Sequence, residues 1–411
     1  MTKDRSTSPL LTIFLTVFID MLGIGIIIPV IPALFFEDSS GFFNPTVSMD
    51  HRSILYGLLV ACYPFMQLFG APMLGALSDR YGRKPLLSIS LVGTMVGYLL
   101  FAYAILTNNL ILLFFSRMLP GFTGGNISII LSAIADISDA KSKAKNFGLV
   151  GAAFGIGFIL GPALGGILAD NTIVSWFNHA TPFWLTAGLT LVNLIIVQFR
   201  FPETLKEKSE TPVSLFRGLS NVGKSFQQPA LRTIFAVILL LSLGFSFFTQ
   251  FFSVYLIQEF DYTVKNIGLL YCWIGIWLAF TQGFIVRRMS GRVPSGLILN
   301  YSILMLSLSL GVILLPDQSF WFYIINPFIA IAQGITSPNL TTVVSEQALA
   351  TQQGEILGIN QSMQSLGQLF PPLIAGYLNT LNSNFPLLAA AAFTLAGWLV
   401  YVFIFRASKR E

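Results

Sequence analysis

Asp20 and Arg117 are the two charged residues that stand deep inside long apolar runs of this sequence, and their chemistry sets the first question. Asp20 sits about ten residues into its run, a depth of about 15 Å on a helix rising 1.5 Å per residue. Arg117 sits about seven residues into another run, a depth of about 10 Å. A long guanidinium side chain can bridge the remaining difference in depth, so a pair is the simplest arrangement. Two roles then stay open. The carboxyl group can exchange a proton, because moving Arg117 or admitting water changes how readily it holds one. Alternatively the two form a permanent ion pair that pins the first helix to the fourth. Other reactive groups offer little. Cys62 and Cys272 lie inside apolar runs and read as small core residues, and His51 and His179 fall in loops. With no phosphate-binding loop, no metal-ligand spacing and no nucleophile–histidine pair, the chain is expected to be no enzyme and to need no cofactor or metal.

The elements that must position these residues are apolar helices. Of the 411 residues, 54% are hydrophobic and 10% charged, with a mean hydropathy of +0.75. A soluble domain carries roughly 25% charged residues. Charges are missing from most stretches of about 20 residues, the length that crosses a hydrocarbon layer of about 30 Å. Twelve spanning helices are expected at 10–34, 53–77, 86–106, 110–134, 147–169, 181–201, 230–257, 266–287, 294–315, 319–343, 356–378 and 384–405. The first run, from Leu10, is long enough to be a span and not a leader peptide. With the N-terminus in the cytoplasm, all 23 Lys and Arg residues fall on the inner side except Arg52 and Lys265 outside and Arg117 within the membrane. Both termini are then cytoplasmic, and the net charge of +5 follows from topology without a nucleic-acid partner.

The polar segment 202–229, with Glu203, Lys206, Glu207, Lys208 and Glu210 between Pro202 and Pro229, divides the chain. It reads as a cytoplasmic linker between an N-terminal six-helix bundle, 1–201, and a C-terminal one, 230–411. An internal repeat supports the division. Gly124 aligns with Gly334, Asp136 with Glu346, and Gly157-x3-Gly161-Pro162-x3-Gly166 with Gly367-x3-Pro371-Pro372-x3-Gly376. Phe14, Asp20 and Gly23 align with Phe235, Leu241 and Gly244, so any proton site belongs to the first half alone. The charged hairpin Gly75-Ala-Leu-Ser-Asp79-Arg80-Tyr-Gly82-Arg83-Lys84 also has an echo, Gly283-Phe-Ile-Val-Arg287-Arg288-Met-Ser-Gly291-Arg292.

That hairpin, with its pattern GxLxDRxGRK, resembles the signature loop between the second and third helices of the major facilitator superfamily. The stretch Asp20-Met-Leu-Gly23-Ile-Gly25-Ile-Ile-Ile-Pro29-Val-Ile-Pro32 resembles the opening helix of the tetracycline-resistance branch of drug:proton antiporters in that superfamily. Arg117-x3-Gly121 is similar to the fourth-helix arginine motif of the branch, and Gly157-x3-Gly161-Pro162-x2-Gly165-Gly166 to its fifth-helix antiporter signature. Glycines four apart form a seam at which helices touch closely, and Pro162 permits a bend.

The resemblance implies an all-α membrane protein of twelve helices, in two six-helix bundles around a central cavity. It implies an inner gate of Gly75, Asp79, Arg80, Gly82, Arg83 and Asp136 that holds the halves together and breaks as the cavity opens inward. Within it, Asp79 can cap a helix N-terminus and Arg83 can pair with Asp136. Cavity-facing candidates on the expected helices are Tyr63, Gln67, Asn126, Gln250, Trp273, Trp277, Asn326, Gln333, Asn339, Gln361 and Gln364. Thirty-eight Phe residues and a second half poor in buried acids point to an amphipathic, largely apolar small molecule. The expected function is proton-coupled efflux of such a compound by a monomer in the lipid bilayer of a bacterial inner membrane. Protons and the small molecule are its partners. An uncoupled facilitator, or a lipid or glycolipid flippase of the same fold with Asp20–Arg117 as a structural pair, is the alternative.

Overall fold

A computed structural model of the chain describes residues 9–37, 40–44, 46–124, 126–138, 143–205, 220, 223, 229–289, 292–346 and 353–405. Among them every regular element is helical. Lipid offers backbone groups no hydrogen-bond partner, and a helix satisfies them within the segment. In chain order the helices are α1 (Pro9–Phe36), α2 (Met49–Tyr81), α3 (Arg83–Leu106), α4 (Leu110–Thr123), α5 (Asn126–Ile137), α6 (Lys143–Leu168) and α7 (Thr181–Arg200). The series continues with α8 (Pro229–Phe260), α9 (Val264–Phe280), α10 (Ser295–Val312), α11 (Phe320–Glu346), α12 (Gln353–Leu381) and α13 (Phe385–Val400). A π turn, Thr281–Val286, and a last α turn, Arg287–Met289, extend α9, and a second π turn, Tyr401–Phe405, extends α13. By length and composition ten helices among the described residues can cross a membrane, and Gly155–Leu168 is a shorter apolar one. Most of the expected linker, along with the basic residues before 9 and after 405, lies outside the described residues.

The fourth expected span, 110–134, is covered by two helices. Pro120 has no N–H to offer and its ring crowds the preceding turn, and α4 ends three residues later at Thr123, where the N–H of the C-cap Gly124 still reaches the Pro120 carbonyl over 2.6 Å. Capping explains other ends. The side chain of Asn109 accepts from the Leu112 N–H at 3.0 Å to start α4, and Pro182 and Pro386 lie in the first turns of α7 and α13.

The start of α3 is less usual. Its N-cap is Gly82, at φ +114°, where a side chain would be strained and can offer no acceptor. The acceptor arrives from the far end of α7. Glu203 takes the N–H of Arg83 at 2.9 Å and of Lys84 at 3.2 Å, one on each carboxylate oxygen. Partial burial pushes this carboxyl group upward, but the N–H groups of Leu205, Arg83, Lys84 and Thr204 outweigh it and hold it below its ordinary value. The expectation that Asp79 caps a helix is corrected here. Asp79 lies in the last turn of α2, the negative end of that helix, and its carboxylate is paired with Arg83.

By contact the chain forms two compact units, Met1–Val30 with Phe65–Arg217, and Ile31–Pro64 with Gly218–Glu411. In the first unit, Ile13, Val17 and Met21 of α1 share a core with Leu74, Leu86, Leu91, Ile129, Ile134 and Val197. Along α6 the glycine seam meets α1 backbone to backbone: a Cβ on Gly161 would lie 2.6 Å from the Leu22 carbonyl oxygen, and one on Gly165 2.7 Å from that of Ile26. In the second unit, Ile234, Phe235 and Ile238 of α8 pack with Leu299, Ile303, Val344, Met363 and Tyr401. Chain order alone assigns Ile31–Pro64 to the first half, whereas contact groups it with the second. Ser53 donates to the Gly376 carbonyl at 3.0 Å and accepts from Asn379 at 3.0 Å, while the Tyr56 hydroxyl donates to the Gln250 carbonyl at 2.6 Å.

Two stability predictions follow from these contacts. Gly161→Leu should cost about 1–3 kcal/mol by overpacking, seen as a lower Tm in detergent, while Gly188→Leu, with nothing within 4 Å of its Cβ position, should leave Tm unchanged. Equal effects would remove the seam from the packing. Because the Glu203 carboxyl is depressed in the folded protein, its contribution is present above its ordinary 4.5 and is lost as pH falls through the lower folded value. Glu203→Ala should lower Tm by a degree or two, for an exposed interaction of about 0.5 kcal/mol. The difference from wild type should shrink below pH 4.5, and a gap independent of pH would assign it to packing.

Candidate functional site

Asp20 lies in the middle of α1 and is 7% exposed. Its Oδ2 accepts a hydrogen bond from Nδ2 of Asn126 at 2.5 Å, and Asn126 is itself 3% exposed. Asn126 is the first residue of α5, directly after the interruption that Pro120 and Gly124 impose, and that interruption positions the amide for α1. Arg117 is on α4, one turn before Pro120, and is 8% exposed. All three belong to the first unit.

A buried carboxyl group needs a partner, and the type of partner decides what it can do. A guanidinium donates only and favours the ionised form. A primary amide is neutral, with two N–H donors and a carbonyl acceptor. Its N–H can donate to a carboxylate, and to the carbonyl oxygen of a protonated acid. Asn126 therefore satisfies Asp20 in either protonation state, which an unbroken ion pair does not. Asn126, one of the expected cavity residues, gives its amide N–H to Asp20.

The charged hairpin is organised by Arg83, whose side chain is 7% exposed. Its Nη1 pairs with the Asp79 carboxylate and donates to Ser78 Oγ at 2.7 Å. Its Nε donates to Asp136 Oδ2 at 3.1 Å, and the same oxygen accepts from the Thr204 hydroxyl at 3.3 Å. Together with the Glu203 cap, one guanidinium thus ties the ends of α2, α3 and α5 and the residues after α7 inside the first unit. Gly75 brings α2 close to α5, since its Cβ position is 3.4 Å from Ser128 Oγ. Arg80 reaches back over the Tyr81 ring, 5.5 Å from its centre.

The other expected cavity residues divide by what their polar atoms already do. Asn326, fully buried, and Asn339 each donate to the carbonyl one turn earlier in α11, those of Phe322 at 2.9 Å and Ile335 at 2.8 Å. An amide in apolar surroundings uses a local acceptor when no other is offered. Trp273 donates to the Tyr323 carbonyl at 2.9 Å and stands edge-to-face with Trp277 at 5.8 Å. Tyr63, Gln67, Gln250, Gln333 and Gln364 are half-buried and Gln361 is exposed. Three functional groups escaped the sequence reading in these roles. Glu203 passed as a linker charge, Ser78 and Thr204 as loop residues. The missing cap residue before α3 was the one available signal for Glu203.

A family model described as Major Facilitator Superfamily matches residues 13–372. Multidrug resistance protein 1 of Bacillus subtilis (strain 168) is 31% identical over 381 residues, covering 92% of this chain and 91% of that protein. Tetracycline resistance protein, class C, of Escherichia coli is 30% identical over 372 residues, covering 90% and 89%. Among solved structures, a D-xylose-proton symporter superposes with a TM-score of 0.77 at 16% identity, covering 97% of this chain and 98% of that one, a likeness of fold. The matched length, the relatives and the twelve-helix all-α architecture agree, and the chain belongs to the Major Facilitator Superfamily as an integral membrane transport protein, not an enzyme.

Proposed function

We propose that the protein exports an amphipathic small molecule in exchange for protons, by alternating access between two six-helix halves, 1–201 and 230–411, joined by the linker 202–229. The observation that carries this reading is the buried Asp20 with a neutral amide as its hydrogen-bond partner. A proton carrier in hydrocarbon must be tolerable both charged and neutral, and Asn126 leaves the carboxyl group bonded in both forms. Arg117, buried on α4 of the same unit, supplies the positive charge whose approach or withdrawal biases the ionised form. Opening outward would let Asp20 take up a proton as substrate leaves, and opening inward would release that proton to the cytoplasm as the next substrate binds.

Relatives named for resistance to tetracycline and to multiple drugs support a drug-like cargo. The excess of Lys and Arg on one side supports a chain with both termini in the cytoplasm, in a bacterial inner membrane. The Arg83 cluster would form the inner gate: it fixes the ends of α2, α3 and α5 as one rigid edge, against which the other half can dock and separate.

Two measurements test the reading. In proteoliposomes with a pH-sensitive dye inside, tetracycline and a panel of amphipathic cations should trigger proton movement. Asp20→Asn should reduce this by at least about tenfold, the loss of roughly 1.4 kcal/mol of coupling, while equilibrium ligand binding persists. Export that stays proton-driven in this variant would sink the role of Asp20, and ligand flux without proton movement in the wild type would point to a facilitator. For the gate, Asp79→Asn should slow turnover several-fold with normal membrane insertion; unchanged turnover would leave the cluster a topological role only.

A further inference from the structure

The echo of the charged hairpin in the second unit keeps three basic residues but not the acid that stands at Asp79 in the first. In the first unit Arg83 is held by Asp79 and Asp136. At the position equivalent to Asp79 the echo has Arg287; Arg288 repeats Arg80 and Arg292 repeats Lys84, while Gly291 stands where Arg83 would be. An acid has become a third cation. Arg287, Arg288 and Arg292 are all exposed, and none pairs with a carboxylate among the described residues. Among the described residues such a cluster lacks the internal pairing that would account for it, and an anionic group from outside the chain can supply the counter-charge.

The adjoining surface narrows the source of that charge. A cleft of about 180 Å³ opens beside the same turn, between the end of α9, one face of α10, and α11. Met289, Val293, Leu297, Met305 and Ile335 line it. Leu297, Tyr301 and Met305 recur every four residues, so the cleft follows one face of α10 for about 12 Å at 1.5 Å per residue. Its one small polar group, the Ser302 hydroxyl, already accepts from Thr336 at 2.8 Å. Tyr301, 65% exposed, stands on the rim of the cleft.

From this juxtaposition of three exposed arginines, without a carboxylate partner among the described residues, with an apolar cleft running away from them along a spanning helix, we infer a binding site for one anionic phospholipid. The phosphate meets the guanidinium groups, which favour bidentate contact with phosphate oxygens. One acyl chain lies in the cleft along α10. A free phosphate would engage the arginines and leave the cleft empty, and a neutral lipid would do the reverse. A phospholipid joins both chemistries in one molecule, and its leaflet is the one on the basic side of the membrane, where anionic headgroups concentrate. The site is separate from Asp20 and does not depend on the transport reading.

The test is retention of lipid by the intact protein. After reconstitution in vesicles of phosphatidylcholine and phosphatidylglycerol at 3:1, the protein is extracted in a neutral detergent and its bound lipid counted by native mass spectrometry. Wild type should retain one phosphatidylglycerol per chain in preference to phosphatidylcholine. Arg287→Gln/Arg288→Gln/Arg292→Gln should weaken that retention roughly a hundredfold, the combined effect of three basic residues near an anionic headgroup. Met305→Trp, which fills the cleft and leaves the arginines intact, should also release the lipid, with Leu297→Phe in its place if that variant does not fold. Arg80→Gln, a basic residue of the other hairpin, should have no effect. Equal retention by the triple variant, insensitivity to the cleft substitution, or displacement of the lipid by millimolar inorganic phosphate alone would overturn the inference.

Discussion

Inside hydrocarbon a polar group has no water to bond, and each one present must find its partner in the protein. That constraint shapes this chain at every scale. It makes the elements helical, and it makes Asn326 and Asn339 turn back to carbonyls of their own helix. It also makes the bond between Asp20 and Asn126 the centre of the first unit. A carboxyl group there without a partner would cost several kcal/mol. One with a fixed cationic partner would be stable but committed to its charge. The neutral amide leaves the choice open, and the helix interruption at Pro120 and Gly124 is what sets that amide in place.

At the membrane surface the same logic runs through charges. Arg83 is almost wholly covered, so its guanidinium has to be matched, and Asp79, Ser78 and Asp136 match it. Its backbone N–H is matched as well, by Glu203. The outcome is a compact knot in which one residue bonds the ends of several helices through both side chain and main chain. Such a knot transmits motion as a unit, since no one helix end can shift without breaking bonds to the others.

How much of this was legible depended on whether the information was local. Spans follow from runs of apolar residues, and the sequence exposes those directly. The pairing of Arg83 with Asp136 followed from opposite charges at the ends of adjacent helices. The bond from Asn126 to Asp20 joins residues 106 apart and depends on where α4 stops, which side-chain types alone do not reveal. Glu203 was missed because its partners are backbone N–H groups, and every residue type has those. The π turn at Thr281–Val286 left no mark in composition. Nor did the grouping of Ile31–Pro64 with the second unit, because chain order gives no sign of packing by Ser53 and Tyr56.

The repeat separates scaffold from chemistry. What the two halves keep in common is packing: Gly161 lies against the Leu22 carbonyl in one, and Gly367 against Ser242 and Leu243 in the other, so each half seats a glycine-bearing helix on its own first helix. What they do not share is the charge at a few positions. Asp20 is matched by Leu241, a buried core residue, and the acid of the first hairpin by Arg287. A duplicated fold needs both copies of its contacts, because losing either seam would loosen a bundle. Under the proposed coupling it needs only one copy of a proton carrier, since a second buried carboxyl group would add the cost of its burial without adding a second route for substrate. Departures from the repeat, Asp20 in one half and Arg287 in the other, are therefore where the proposed roles are placed.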